Sequence, residues 1–413
     1  MANLSGDAEV HGDQQKRMDN ATPDNACPSC GRLHMSVFHE LEGVPVHSVS
    51  LLPTKGEALA CRRGDIVLGF CIGCGFISNL AFDPELHDYS VGYESTQACS
   101  PTFNEFARGL ALHLVARYDL HNKDIIEIGC GQGEFLTMIC EIGGNRGVGF
   151  DPAYVPPDFG GAGSDDIIFV QDFYSERYIG YQGDLICCRM TLEHIQQTAE
   201  LVRTVRRSVG GRADSVVFFQ VPDVTRILRE QAFWDIYYEH CSYFTPGSLA
   251  SLFEICGFEV IDQWTGYGDQ YLMIEARADV ERTSAEQLTQ QLAPGTSRDI
   301  ARFSANYPRK LRMWRDRLRR VSQDGQRAVI WGGGSKAVAF LTTLGIRDEI
   351  EYVVDINPRK HGTYLPGTGQ ETVAPDFLRD YEADVVIVMN PIYEEEIRGE
   401  LDRMGLTPEV MTV

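Results

Sequence analysis

The 413-residue sequence predicts an α/β protein of three parts: a small cysteine-bound unit, a doubly wound sheet of the Rossmann type, and a second, shorter Rossmann-like unit. Three observations predict it. Two Cys-x-x-Cys turns, CPSC and CIGC, frame the front of the chain. The series strand, glycine turn, helix occurs twice, around Gly129–Gly133 and around Gly332–Gly334. Short β-branched runs alternate with helical periodicity through the central and last thirds, the pattern of a parallel sheet.

The front unit comes first. Its candidate metal ligands are Cys27, Cys30, Cys71 and Cys74, and each pair is followed by glycine, Gly31 and Gly75. Four thiolates in a tetrahedron satisfy a structural zinc ion and leave no open position for chemistry. The two turns are too far apart for a compact ribbon, so a small sheet is expected between them, with the unit spanning 26–80. Redox pairs would open a helix after a long strand, which neither pair does.

The central unit, expected over 81–282, begins with a helix at NEFARGLALHLVARYDL. Asp124–Ile128 is a strand, Gly129-Cys130-Gly131-Gln132-Gly133 a tight turn, Glu134–Ile142 a helix, and Gly147–Phe150 a second strand ending on Asp151. An acid at that distance reaches the hydroxyls of a ribose beside the first loop. The spacing G-x-G-x-G, preceded by Glu127, favours S-adenosylmethionine over a dinucleotide. The glycines Gly129, Gly131 and Gly133, with Glu127 and Asp151, are therefore cofactor-site candidates. A third strand, Ile167–Val170, leads to Asp172, placed for an adenine amino group. A fourth, Asp184–Cys188, leads to Arg189, a further cofactor-side candidate, and to His194, which borders both cofactor and substrate. A helix, Thr198–Val209, and a strand, Ser215–Val221, follow. Next comes the aromatic stretch FWDIYYEHCSYFT, Phe233 to Thr245.

Thr283–Ser322 is charged and helical, and is expected as a connecting helix pair (linker 283–324). The last unit, 325–413, has strand Ala328–Trp331, the turn Gly332–Gly334, a helix, and strand Glu351–Val354 ending on Asp355. This resembles a dinucleotide fingerprint, yet too few residues remain for a complete dehydrogenase. Binding of substrate phosphate at the helix N-terminus is the more economical reading. Lys336, Asp355 and Asn390 are its substrate-site candidates.

Composition bounds the function. Lys and Arg number 37 against 59 Asp and Glu, a net charge of −22. That balance speaks against a nucleic-acid partner, which needs stripes of cations. A small phosphorylated ligand held by a few local cations and amides stays possible. No apolar run approaches the roughly 18 residues of a membrane span, so no membrane partner is expected. Residues 1–25 lack the apolar core of a secretion signal and read as a disordered tail. The expected compartment is the cytoplasm, where the twelve cysteines stay reduced. A monomer or weak dimer is expected, since no coiled-coil pattern is present.

The cysteine pairs, EIGCGQGEF, LEHI, IYYEHCSYFT and VVDINPRKHGTYLPG together resemble the sugar C-methyltransferases that act on nucleotide-linked 4-keto-deoxysugars. The resemblance covers nearly the whole chain beyond the tail. It implies a zinc-binding front domain, a class I methyltransferase Rossmann-like domain and a C-terminal Rossmann-like domain that helps hold the substrate. It also implies a place in deoxysugar and antibiotic biosynthesis. The family's middle motif is Ile-Tyr-His-Glu-His-Phe-Ser-Tyr-Phe. Here Tyr237, Glu239 and His240 match its tyrosine, glutamate and base histidine, while Tyr238 and Cys241 replace a histidine and a phenylalanine. His194 falls on the family's histidine after the fourth strand. The family's active-site tyrosine ahead of the first methyltransferase helix falls on Tyr93 or Tyr89, with Tyr93 preferred.

Carbon methylation needs a carbanion equivalent, made when a base removes a proton beside a ketone. His240 fits the base, since imidazole titrates near neutrality. Glu239 orients it or binds a substrate hydroxyl, and Tyr237 and His194 donate to the oxyanion. Methylation of a different carbohydrate or natural-product acceptor at C, O or N is the alternative. An NAD-dependent oxidoreductase and a zinc-ribbon nucleic-acid binder are the more distant ones.

Overall fold

The computed structural model describes residues 26–33, 35–87, 93–94, 96–155, 166–279 and 294–413. The expected tail, Tyr89 and the first part of the expected linker lie outside the described residues.

The front unit holds β1 (Met35–Pro45), the short α1 (Lys55–Leu59), β2 (Arg63–Cys71) and β3 (Ile77–Asn79), all paired antiparallel. Its sheet does not end at residue 80. A fourth strand, β9 (Ser242–Tyr243), comes from the aromatic stretch and pairs with β3. The sequence hides this pairing because it joins residues more than 160 positions apart.

In the central unit α2 (Pro101–Tyr118) is capped by the Ser100 hydroxyl, which accepts from the Phe103 amide, and has Pro at its first turn. It buries Phe103, Ala107, Leu110, Ala111 and Leu114, one face of a 3.6-residue period. Then come β4 (Asp124–Ile128), α3 (Glu134–Gly143), β5 (Arg146–Phe150), β6 (Ile167–Val170), β7 (Leu185–Arg189), α4 (Thr198–Val209), β8 (Val216–Pro222) and α5 (Val224–Glu230). After β9 follow α6 (Pro246–Ile255), β10 (Phe258–Gly266) and β11 (Tyr271–Ala278). The sheet order is β10-β11-β8-β7-β4-β5-β6, with β11 antiparallel to both neighbours. β7 is buried at every residue, as a strand covered on both faces must be. The chain order reverses between β4 and β7, and the carboxyl ends there form the crevice where open sheets bind ligands.

Within the expected connecting pair, the described residues form one helix, α7 (Pro294–Gln323), of 30 residues. Ile300, Phe303, Trp314, Leu318 and Val321 keep a single stripe on the core, and Pro308 removes one backbone donor without ending the helix. The last unit comprises β12 (Ala328–Trp331), α8 (Ser335–Leu344), β13 (Tyr352–Val354), β14 (Glu371–Val373), α9 (Leu378–Tyr381), β15 (Val385–Val388), α10 (Glu394–Met404) and β16 (Glu409–Thr412). Its sheet is wholly parallel, in the order β14-β13-β12-β15-β16.

One apolar cluster joins the parts. Val44, Ile66 and Leu68 of the front sheet, Phe233, Trp234 and Tyr238 of the aromatic stretch, and Phe340 and Leu341 of α8 pack together. Phe233 stacks on Phe340 with ring centroids 5.7 Å apart. The two crevices, at the carboxyl ends of β4/β7 and of β12/β15, thereby face a common space. Among the described residues no helix is long and apolar enough to cross a membrane.

Candidate active site

That space is a cavity of about 510 Å³, with the glycine turn after β4 at one side and the turn after β12 at the other. On the β4 side the backbone is left-handed at Gly129, Gly131 and Gly133, with φ of 69°, 57° and 86°. A Cβ on Gly129 would lie 2.0 Å from the Thr191 hydroxyl, so the turn accepts only glycine. The Asp151 carboxylate accepts from the amides of Gly131 (2.9 Å) and Ala153 (2.8 Å), which fixes the acid beside the turn.

Glu127, at the end of β4, is 2% exposed, and burial pushes its carboxyl up to about 8 against the opposing pull of Arg189. Arg189 Nη1 stands 3.9 Å from it, while Arg189 Nε donates to Gln220 Oε1 at 3.0 Å. The guanidinium lies 3.8 Å over the Phe135 ring. Glu127 Oε2 and Arg189 Nη2 are buried without a hydrogen-bond partner among the described residues, and both side chains line the cavity. Gly133 and Asp172 do not line it. Asp172 accepts from Tyr178 Oη (2.6 Å), Arg177 Nη1 (2.9 Å) and the Phe173 amide (2.8 Å). The Tyr178 hydrogen bond leads in holding it below the usual carboxylate range. It lies off the cavity wall, and Phe173 beside it lines the cavity.

The aromatic stretch enters the wall as a turn between two 3₁₀ or strand segments, Phe233–Asp235 and β9. Tyr237 and His240 face the cavity, with Tyr237 Oη 2.8 Å from His240 Nε2. His194 Nδ1 lies 3.0 Å from the Glu239 carbonyl. A carbonyl only accepts, so that nitrogen carries the proton and neutral His194 presents Nε2 as an acceptor. The two imidazoles are 4.9 Å apart. Burial lowers both, His194 to about 4 and His240 well below the usual histidine value, and raises the Tyr237 phenol.

Glu239 turns the other way. It accepts from the Ser48 amide at 3.0 Å and from the Ser48 hydroxyl, and Tyr93 donates to it as well. Burial still raises it to about 7. It is 1% exposed and off the cavity wall, so it ties the loop to the front unit, whereas Tyr93 does line the cavity. Tyr238 also points outward. Its hydroxyl accepts from the Asp83 amide (2.8 Å), and its ring leaves no room for a Cβ at Gly64, which would approach to 2.3 Å. Cys241 is buried with its thiol donating to the Glu193 carbonyl. Neither replaced motif position lines the cavity.

On the far side, Lys336 at the start of α8 is paired with Asp235, which also accepts from Arg226 Nη2 at 2.5 Å. Asp355 accepts from the Gly333 amide (2.8 Å), the Asn357 amide (2.8 Å) and Lys360 Nζ (3.2 Å). It holds its glycine turn as Asp151 holds the other. Asn390 accepts from Gln270 Nε2 at 2.8 Å, across the two units. All three predicted residues line the cavity, but Lys336 is not a loose cation. Sequence reasoning missed Asp235, Arg226, Ser48 and Glu193. Glu193 was within reach, since it adjoins His194; the 3₁₀ turn Leu192–His194 brings both to the wall.

The four cysteines of the front unit meet. Cys27 Sγ is 3.6 Å from Cys74 Sγ, and Cys30 Sγ 3.7 Å from Cys71 Sγ. A tetrahedral zinc with bonds of about 2.3 Å has edges of about 3.8 Å, so the donor set and spacing fit that ion.

Two family profiles match the chain: a methyltransferase domain over residues 103–263 and a C-methyltransferase C-terminal domain over residues 274–406. Together with the strand order, they define a class I, Rossmann-like S-adenosylmethionine-dependent methyltransferase. C-methyltransferase NovU of Streptomyces niveus is 27% identical over 300 residues, 68% of this chain and 70% of that protein. The chain is an S-adenosylmethionine-dependent C-methyltransferase and resembles the sugar C-methyltransferases. Solved structures that match part of the chain include magnesium protoporphyrin IX methyltransferase from Synechocystis, with S-adenosylhomocysteine bound. It is 14% identical, with a TM-score of 0.33, covering 43% of this chain and 84% of that one. A second is 1,6-didemethyltoxoflavin-N1-methyltransferase of Burkholderia thailandensis, 17% identical, TM-score 0.33, covering 43% and 80%.

Proposed function

We propose that the chain methylates the carbon next to the ketone of a nucleotide-linked keto-deoxysugar, with His240 as the base that forms the enolate. The observation that carries this reading is the shared cavity: His240 and Tyr237 stand on its wall, and a glycine turn of each Rossmann-like unit borders it. The likeness to a C-methyltransferase supports the reaction type.

At the β4 turn, Glu127 Oε2 and Arg189 Nη2 are unsatisfied, one on a carboxyl and the other on a guanidinium. They complement the ammonium and carboxylate of a methionine moiety, and Asp151 complements the ribose. S-adenosylmethionine, when bound, supplies the electrophilic methyl group. At the far turn, the start of α8 with Lys336 and Lys360 offers a seat for the diphosphate. Asp355 and Asn390 sit beside that seat. His240 removes the proton, and the Tyr237 hydroxyl stands beside the site where oxyanion charge develops; His194, whose Nε2 is an acceptor, is not a donor to it. Holding both reactants in one closed space supplies much of the rate, several kcal/mol by the usual effective-molarity argument. Zinc at the four cysteines is structural in this reading. The protein acts as a monomer or weak dimer in the cytoplasm.

The test is product mass spectrometry with methyl-labelled cofactor and a panel of thymidine- and uridine-diphosphate 4-keto-6-deoxyhexoses. The expected result is one added methyl on carbon. Solvent deuterium should enter that carbon with S-adenosylhomocysteine present, and His240→Ala should abolish the exchange. Exchange at the wild-type rate in His240→Ala would exclude it as the base.

A further inference from the structure

The cavity wall carries a buried carboxyl beside the imidazoles that the chemistry above leaves idle. Glu193 is 2% exposed and lines the cavity next to the two imidazoles. A carboxylate oxygen of Glu193 and one ring nitrogen each of His194 and His240 lie within 4.8 Å of one another. Glu193 Oε2 has no hydrogen-bond partner among the described residues, and neither has His240 Nδ1. Tyr237 occupies the other nitrogen of His240. The titratable groups that feel the Glu193 charge are the hydroxyls of Tyr237 and Tyr271 and the thiols of Cys188 and Cys241. No cation contributes to its proton affinity.

We propose that Glu193 is the proton partner of His240: it receives from the imidazole the proton that His240 takes from the substrate carbon. The inference rests on the enolate reading above. The substrate C–H bond breaks, its electron pair stays in the enolate, and the proton forms an N–H bond on His240. That bond then breaks as an O–H bond forms on Glu193. The step uses the ionised form of Glu193, which is reached as pH rises through about 8: the carboxylate loses its charge as the enolate gains one, so the closed cavity carries no extra charge. After methyl transfer the proton leaves to water when the product is released. Burial is the physical reason for two stations. It disfavours the charged imidazolium and makes His240 a poor proton store, whereas it disfavours the carboxylate and makes Glu193 a good one, pushed up to about 8. Glu193 acts through His240 and is a positioning residue.

The experiment uses the full chain with Glu193→Gln and Glu193→Asp, each checked for wild-type circular dichroism and S-adenosylhomocysteine binding. Deuterium wash-in on the hexose panel should fall about 100-fold in Glu193→Gln, the usual weight of a lost proton-transfer partner. It should recover in part in Glu193→Asp, and the limb of the wild-type pH profile near 8 should vanish in Glu193→Gln. Unchanged wash-in and an unchanged limb overturn the proposal. A separate readout needs no substrate. In ¹⁵N-histidine spectra, with His240→Gln as the assignment control, the His240 nitrogen shifts should move in Glu193→Gln, and unmoved shifts overturn the pairing. If no hexose shows wash-in even with wild type, the enolate reading fails while the spectra still decide the pairing. A second metal ion per chain, lost in both Glu193→Gln and His240→Gln, would also overturn it, by making these side chains ligands.

Discussion

Asp235→Asn is the perturbation the structure makes quantitative. Asp235 sits in the 3₁₀ turn that opens the aromatic stretch, is 7% exposed, and serves Arg226 of α5 and Lys336 of α8. Burial raises its proton affinity, but the two cations outweigh that and hold it below the usual carboxylate range. The sign follows: a depressed folded-state value stabilises the fold at all pH above the ordinary Asp range and is lost only as pH falls below it. Removing the charge leaves Lys336 half-buried with no other ion pair among the described residues, whereas Arg226 keeps Glu230 at 2.8 Å. Breaking a buried pair from one side costs about 3–5 kcal/mol. At about 2–4 °C per kcal/mol for a unit of this size, the thermal midpoint should fall by on the order of 10 °C. Lys336→Met should cost less, because Asp235 retains Arg226, and adding it to Asp235→Asn should recover part of the loss. Scanning calorimetry at pH 7.5 decides. A midpoint within 2 °C of wild type in Asp235→Asn, or an equal loss in Lys336→Met, would refute the clamp.

Other consequences can be measured alongside. Gly129→Ala should lose S-adenosylhomocysteine binding in calorimetry while the protein stays folded, since the methyl group meets the Thr191 hydroxyl in a left-handed backbone. Tyr238→His, which restores the family residue, should leave the acceptor preference of the hexose panel unchanged, because that side chain faces Asp83 rather than the cavity; a switched preference would contradict the placement. Stability should decline between pH 6.5 and 8. Burial raises Glu127 and Glu193 to about 8 and Glu239 to about 7, so their protonated forms favour folding at low pH and that contribution is lost as pH rises through those values. The buried imidazoles oppose this only below the usual histidine value, since His39 and His194 are lowered to about 4. Midpoints across that range should flatten in Glu193→Gln. Zinc chelation under reducing conditions should release one metal per chain and lower the midpoint, with Cys30→Ser reproducing the effect; no metal in the purified chain would oppose the zinc reading.

The glycine turns, their acids and the cysteine pairs were legible because each is a local pattern. A left-handed turn, a strand ending on an acid and a Cys-x-x-Cys turn are fixed by residues a few positions apart, and the structure brings the four thiols together and sets Asp151 on Gly131. The motif IYYEHC was legible as a site but not in its division of labour. Sequence order cannot say that Tyr237 and His240 face the cavity while Tyr238 and Glu239 face the front unit. That depends on Ser48, Asp83 and Gly64, more than 150 residues away, supplying donors and a gap for the ring. The pairing of Lys336 was not legible because its partner, Asp235, lies about a hundred positions earlier. The sequence by itself determined the strand–turn–helix elements and their glycine turns, all products of local backbone sterics. Only the tertiary structure decided which side chains share the cavity, because burial and partner geometry come from contacts between distant segments.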